Sequence, residues 1–313
     1  METLFDSLGF RALWTPELLV LLIVVYMAYI GMIHKVGRRL GVQVPLTIGR
    51  LTLFGLGLFA LYLGWGSPLY VTGHVMMTIH MLQMICAYFV AIPLLLLGIP
   101  KWALEAMVSN YKGTRLARAV HVLWNPILAL LLFNGLFSFY HVPFIFDTLM
   151  QSPFLHSGYQ WILLGSATLM WWHMLAPLPS GYQLPDLRRI FYIFANGLLI
   201  TPACALIIFA PNAMYQTYTD PAFWSQVMAY CLPAGVGPEM IAAAFGSPQS
   251  LSLLDARMDQ QLAGVMMKIF QEIVYGITVG YVFKQWLKKE KFQEGELSIS
   301  DIPDSLNIED MKR

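Results

Sequence analysis

The chain has 313 residues, of which 58% are hydrophobic and only 12% charged, and its mean hydropathy is +0.61. A soluble domain carries about 25% charged residues, so this composition excludes an ordinary water-soluble fold and points to a polytopic membrane protein. The net charge of +1 is spread over loops rather than gathered in one patch, so it gives no argument for a nucleic-acid partner, and none is expected.

The N-terminus, Met1 to Asp6, lacks the basic n-region of a signal peptide and is expected to be retained. Crossing a bilayer takes about 20 mostly apolar residues, and about seven stretches satisfy that rule, roughly 16–33, 48–70, 75–99, 121–146, 158–178, 190–211 and 260–286. The expected fold is therefore an all-α polytopic membrane helix bundle over residues 1–287.

Basic residues set its expected orientation. Lys35, Arg38, Arg39 and Arg50 flank the first loop, and Lys101, Lys112, Arg115 and Arg118 follow the third stretch. Arg188 and Arg189 follow the fifth, and Lys284, Lys288, Lys289 and Lys291 the seventh. The intervening loops are nearly free of Lys and Arg. The positive-inside rule then places the N-terminus outside and the C-terminus in the cytoplasm.

Residues 212–258 contain an apolar middle, but Pro233, Gly235, Gly237, Pro238 and Glu239 interrupt it. This segment is expected to be re-entrant or to lie on the outer surface, because irregular backbone at membrane depth needs protein or a wet cavity around it. The tail 288–313 mixes acidic and basic residues and is expected to be a disordered cytoplasmic extension. Cys86, Cys204 and Cys231 have neither disulfide nor zinc spacing.

Chemistry-bearing residues concentrate at the start of the third stretch, His74-Val-Met76-Met77-Thr-Ile-His80-Met81-Leu-Gln83-Met84. Imidazole and thioether are neutral copper ligands, and thioether selects Cu(I). An imidazole inside a membrane is costly and marks a candidate site. His141 at the outer end of the fourth stretch and His156 just before the fifth fall on the same expected membrane face as His74 and His80.

On a helix, Met77 and Met84 lie one turn either side of His80. His74 and His80 diverge by about 120° and about 9 Å along a regular helix. Either two sites exist, with Met77 and Met81 beside His74, or His74 belongs to an unwound entry. Asp259 opens the seventh stretch at the same level. It can orient a ligating imidazole through its second N–H or cap a helix. His173 falls toward the cytoplasmic side, as a structural residue or part of a lower relay. Lys268 and Glu272, one turn apart, are expected to pair with each other.

These motifs together resemble the bacterial CtaG family of cytochrome c oxidase assembly factors. The resemblance rests on His80-Met81-Leu82-Gln83, the stretch from Pro93 to Pro100, His141-Val142-Pro143, Trp171-Trp172 and Asp259-Gln260-Gln261-Leu262-Ala263-Gly264. It covers the chain from about the third stretch to the seventh. It implies a non-enzymatic, multi-pass protein of the bacterial cytoplasmic membrane that delivers copper to the Cu-B centre of haem–copper oxidase subunit I, with an extracytoplasmic copper donor as a further partner. The family pattern His-Met-x-Gln-His has Met84 at its second histidine here.

Two other functions fit the same residues. A membrane copper or ion transporter would use His173, Lys268 and Glu272 at other depths. A haem-binding electron carrier would use His80 and His141 as axial ligands. Neither an HExxH zinc motif nor a GxSxG elbow is present to support a hydrolase.

Overall fold

The computed structural model describes residues 9–42, 46–111, 124–178, 184–230 and 237–293. All regular elements among them are helices. In chain order they are α1 (Phe10–Trp14), α2 (Pro16–Arg39), α3 (Ile48–Trp65), α4 (Pro68–Thr72), α5 (Met77–Gly98), α6 (Lys101–Tyr111), α7 (Pro126–Tyr140) and α8 (Pro143–Met150). Then follow α9 (Pro153–Leu175), α10 (Asp186–Ile208), α11 (Gln216–Thr219), α12 (Pro221–Ala229), α13 (Pro238–Phe245), α14 (Pro248–Leu251) and α15 (Ala256–Gln293). Proline opens α2, α4, α7, α8, α9, α12, α13 and α14. Its fixed φ and missing N–H suit a first helical position, where no intrahelical acceptor is available.

Five helical segments are long and apolar enough to cross a bilayer: Pro16–Arg39, Ile48–Thr72, Met77–Gly98, Asp186–Ile208 and Ala256–Phe292. Helices α7 and α8 make a sixth if they are taken as one span bent by 78°. The break falls at His141 and Val142, just before Pro143. The 23-residue α9 is the remaining stretch expected from the sequence. Its Gln160, Ser166, Thr168 and His173 keep it less apolar than the other five. Among the described residues of 212–258, no helix is long enough to cross; the interrupted middle, 231–236, lies outside them.

The central helix is α5, which is 67% buried, whereas α2 at the periphery is only 17% buried. Helix α3 packs tightly on α5: a Cβ on Gly64 would meet the Gln83 carbonyl at 2.9 Å. Small residues at such crossings let membrane helices approach closely.

Helix α5 changes character midway. Met77–Met84 is α-helical, Ile85–Ala91 is π-helical, and Ile92–Gly98 is α-helical again. Pro93 has no N–H to give to the carbonyl five residues earlier, which is Tyr88. The Trp171 indole on α9 supplies that bond at 2.8 Å. This gives Trp171 a structural task inside the core.

The long pair α10 and α15 is fastened at two levels. Lys268 pairs with Glu272 at 2.6 Å, as expected from their spacing. Its ammonium also donates to Gly197 O, Thr201 Oγ1 and Gln271 Oε1. At the end expected to face the cytoplasm, buried Arg189 pairs with Asp186 at 2.9 Å and donates to the carbonyls of Met174 and Leu175 at the end of α9. Lys289 reaches Asp186 at 3.0 Å. Helix α15 continues to Gln293, so the expected tail boundary at 288 falls within it. Lys, Glu and Gln are good helix formers, and Lys289 is tied down by Asp186. Residues 294–313 lie outside the described ones.

Candidate functional site

Two helices and two helix breaks carry the four histidines of the group. His74 lies in the break between α4 and α5, not on a helix, which matches the unwound entry. His80 is one turn into α5, His141 occupies the α7–α8 bend, and His156 sits in the first turn of α9. All four are buried.

They form two pairs. The His80 and His141 ring centroids are 6.4 Å apart, and those of His74 and His156 are 5.9 Å apart. Tyr140 joins the pairs: its ring stacks on His80 at 5.7 Å and meets His141 at 5.2 Å. Its hydroxyl lies 3.0 Å from His156 Nε2. Phe146 closes the other side of His80 at 5.2 Å.

The hydrogen bonds fix ring nitrogens. His74 Nδ1 is 2.8 Å from Tyr70 O, and His141 Nδ1 is 2.7 Å from Phe137 O. A carbonyl only accepts, so both Nδ1 atoms carry the proton and both Nε2 atoms carry a lone pair. His141 Nε2 and His80 Nε2 are fully buried and have no hydrogen-bond partner. Such groups are costly unless satisfied. Burial also pushes the His74 imidazole below its ordinary pKa, against the smaller opposing effect of the Tyr70 carbonyl.

Asp259 does not use its carboxylate on an imidazole. Oδ2 accepts from Met77 N at 2.5 Å and Oδ1 from Thr78 N at 3.3 Å, while the Thr78 hydroxyl donates to Asp259 O at 3.0 Å. It caps α5 from another helix. Asp147 does the same for α11, accepting from Gln216 N, Thr217 N and Thr217 Oγ1.

The segment from Tyr215 to Trp224 covers the group. Trp224 Nε1 donates to His74 O at 3.1 Å, Tyr215 Oη to His141 O at 2.8 Å, and Tyr218 Oη to Gly73 O at 2.8 Å. Val71, Val75, Met76, Trp224, Met228, Ile241 and Leu251 form a separate apolar cluster there with Leu13.

Met77, Met81 and Met84 lie in the main apolar core. His173 stands apart, near Tyr192 at 6.0 Å, at the Arg189 end of the bundle. Among the described residues, no three His, Cys, Asp or Glu side chains come together as a metal-binding group. The histidines converge as pairs.

Sequence reasoning missed Tyr140, Phe146, Asp147, Tyr215, Tyr218 and Trp224. Tyr140 was signalled only by standing next to His141, and Tyr215 and Tyr218 only by their one-turn spacing.

The family model described as cytochrome c oxidase caa3 assembly factor (Caa3_CtaG) matches residues 25–289. The chain belongs to the CtaG family. No curated protein and no solved structure matches it. The match runs from within α2 almost to the end of α15, so the histidine pairs and the segment covering them belong to the family region. CtaG proteins are assembly factors, not enzymes. With its set of long apolar helices, this one is a multi-pass protein of the bacterial membrane.

Proposed function

We infer that the protein binds Cu(I) near the outer membrane face and delivers it to the Cu-B centre of haem–copper oxidase subunit I, in contact with that subunit in the bilayer. The N-terminus lies outside and the C-terminus in the cytoplasm, and α9 with the α7–α8 pair completes seven spans. One observation carries this reading: His80 Nε2 and His141 Nε2 are buried without partners on rings 6.4 Å apart. Metal–imidazole bonds of ~2 Å bring the centroids of two rings that share an ion to roughly 6 Å. Two neutral nitrogens suit a soft monovalent ion of low coordination number, and they bind it without charge neutralisation, which suits cargo that must leave. A thioether from Met84, one turn from His80, would favour Cu(I) further.

The competing readings have less support. Lys268 pairs with Glu272 within α15 and donates to Gly197 O and Thr201 Oγ1 of α10, a fastening that accounts for both residues without a transport step. A haem would need a flat macrocycle between His80 and His141, where Tyr140 packs against both rings.

Copper analysis of the purified protein under reducing conditions tests the proposal, with His80→Ala and His141→Ala beside it. Bound copper in the parent protein that falls in both variants supports it. A copper-free parent after loading with excess Cu(I) would overturn it.

A further inference from the structure

Helix α15 exposes a charge at the depth where charge is most costly. Glu272 lies near the middle of the Ala256–Phe292 span. Its partner Lys268 donates to the carbonyl of Gly197, the middle residue of the Asp186–Ile208 span. The ion pair therefore stands at the centre of two neighbouring spans, where ionisable side chains face protein or water rather than lipid. Lys268 follows that rule: it has three acceptors besides Glu272, and its side chain is 28% exposed. Glu272 breaks it, with a side chain 59% exposed on the open side of the bundle.

The surface beside that carboxylate suits a close neighbour. Gly276 and Gly280 continue the stripe that Glu272 begins, at one-turn spacing. A Cβ added to either would meet nothing within 4 Å. Ile273 and Ile277 next to them are 52% and 69% exposed. Glycines one turn apart, flanked by isoleucines, leave a shallow groove in which a second transmembrane helix can approach backbone to backbone. The carboxylate one turn from the groove then asks that helix for a hydrogen-bond donor. A second copy of this chain is a poor fit. A two-fold contact uses the same stripe from both protomers, which sets two Glu272 carboxylates at one level, where like charges repel.

We propose that the Glu272, Gly276 and Gly280 face of α15 is the docking surface for one transmembrane helix of the client oxidase subunit, a helix that brings a side-chain N–H or O–H to the Glu272 carboxylate. A charge-assisted hydrogen bond made away from water is among the stronger ones. It also favours a helix with a donor over a purely apolar one, because the apolar helix leaves the carboxylate unpaired. The identity of the partner rests on the reading above that the protein touches subunit I in the bilayer; the surface itself does not depend on copper.

The test is photocrosslinking of the full chain in cells that carry a tagged subunit I. Benzoylphenylalanine is placed at Ile273, at Ile277 and, as a reference on another exposed apolar surface, at Val24 of α2, which is 57% exposed. Ile273 and Ile277 should give an adduct with subunit I, and Val24 should not. Gly276→Leu combined with Gly280→Leu fills the groove from outside the bundle. It should lower recovery of subunit I with this protein roughly tenfold while copper per chain stays unchanged. Glu272→Gln, which keeps an acceptor but removes the charge, should lower it less. Adducts from Ile273 and Ile277 with a second copy of this chain, or with lipid alone, would overturn the docking surface. So would an adduct with subunit I from Val24 in their place, or equal recovery in the parent and the double leucine variant. If that variant fails to accumulate, the crosslinks, made in the parent background, decide. An adduct with a different protein would overturn the assigned partner. A copper-free parent that still crosslinks to subunit I through Ile277 would overturn the copper reading and leave the surface standing.

Discussion

Asp259 and Met77 lie 182 residues apart, and the Asp259 carboxylate accepts the Met77 backbone N–H at 2.5 Å. An aspartate in the first turn of α15 thereby closes the first turn of α5, the helix that carries His80. Buried helix starts leave N–H groups that need an acceptor, and Met76, at the capping position of α5, has no side-chain oxygen to offer.

The first prediction follows from that bond. Asp259→Ala should destabilise the protein by about 1–3 kcal/mol, the usual cost of leaving a buried donor unpaired. Asp259→Asn, which keeps an acceptor oxygen, should cost less. Thermal unfolding in detergent measures both. Equal stability of Asp259→Ala and the parent would show that the cap contributes nothing.

A second prediction concerns Trp171. Trp171→Phe preserves an aromatic ring but leaves the Tyr88 carbonyl without its donor in the π-helical part of α5. Stability should fall by about 1–3 kcal/mol, beyond the loss from the smaller ring. Pro93→Ala restores an N–H five residues after Tyr88 and should recover part of that loss in the double variant. Strictly additive effects in thermal unfolding would contradict the link.

Topology supplies the third. A cysteine at Ser250, in α14, should react with a membrane-impermeant maleimide in intact cells, and a cysteine at Lys291 should react only after permeabilisation. Labelling of the Lys291 position from outside would rule out the proposed seven-span arrangement.

The fourth uses the family departure at Met84. Met84→His replaces a thioether by the harder imidazole one turn from His80 and should raise Cu(II) affinity relative to Cu(I). The change should disappear in a His80→Ala background if both side chains serve one ion. An unchanged ratio would identify Met84 as a packing residue in the core.

Helix type and the histidine group were legible because each rests on local pattern. Apolar runs of spanning length stand out, and imidazoles inside them stand out further. The place of His74 was legible only as one of two alternatives, a second site on a regular helix or an unwound entry, because six residues separate it from His80 and the sequence does not say where the helix begins. The partners of Asp259 and Asp147 were not legible, because a carboxylate that caps a distant helix has the same local sequence as one that caps its own. Tyr140, Tyr215 and Tyr218 were hidden for a related reason: an aromatic residue in an apolar chain reads as packing until its hydroxyl is seen to have a partner. The π-helical segment left only Pro93 as a trace, and a proline predicts a kink as readily as a π turn.

The bonds from Tyr215 and Trp224 go to the backbone carbonyls of His141 and His74, not to their rings. The cover and the histidine-bearing segments are therefore mechanically continuous. A displacement of the 215–224 segment is thereby transmitted to the backbone of one histidine in each pair. The spacing of the histidine rings therefore answers to contacts made on the covering segment and not only to the helices that carry the rings.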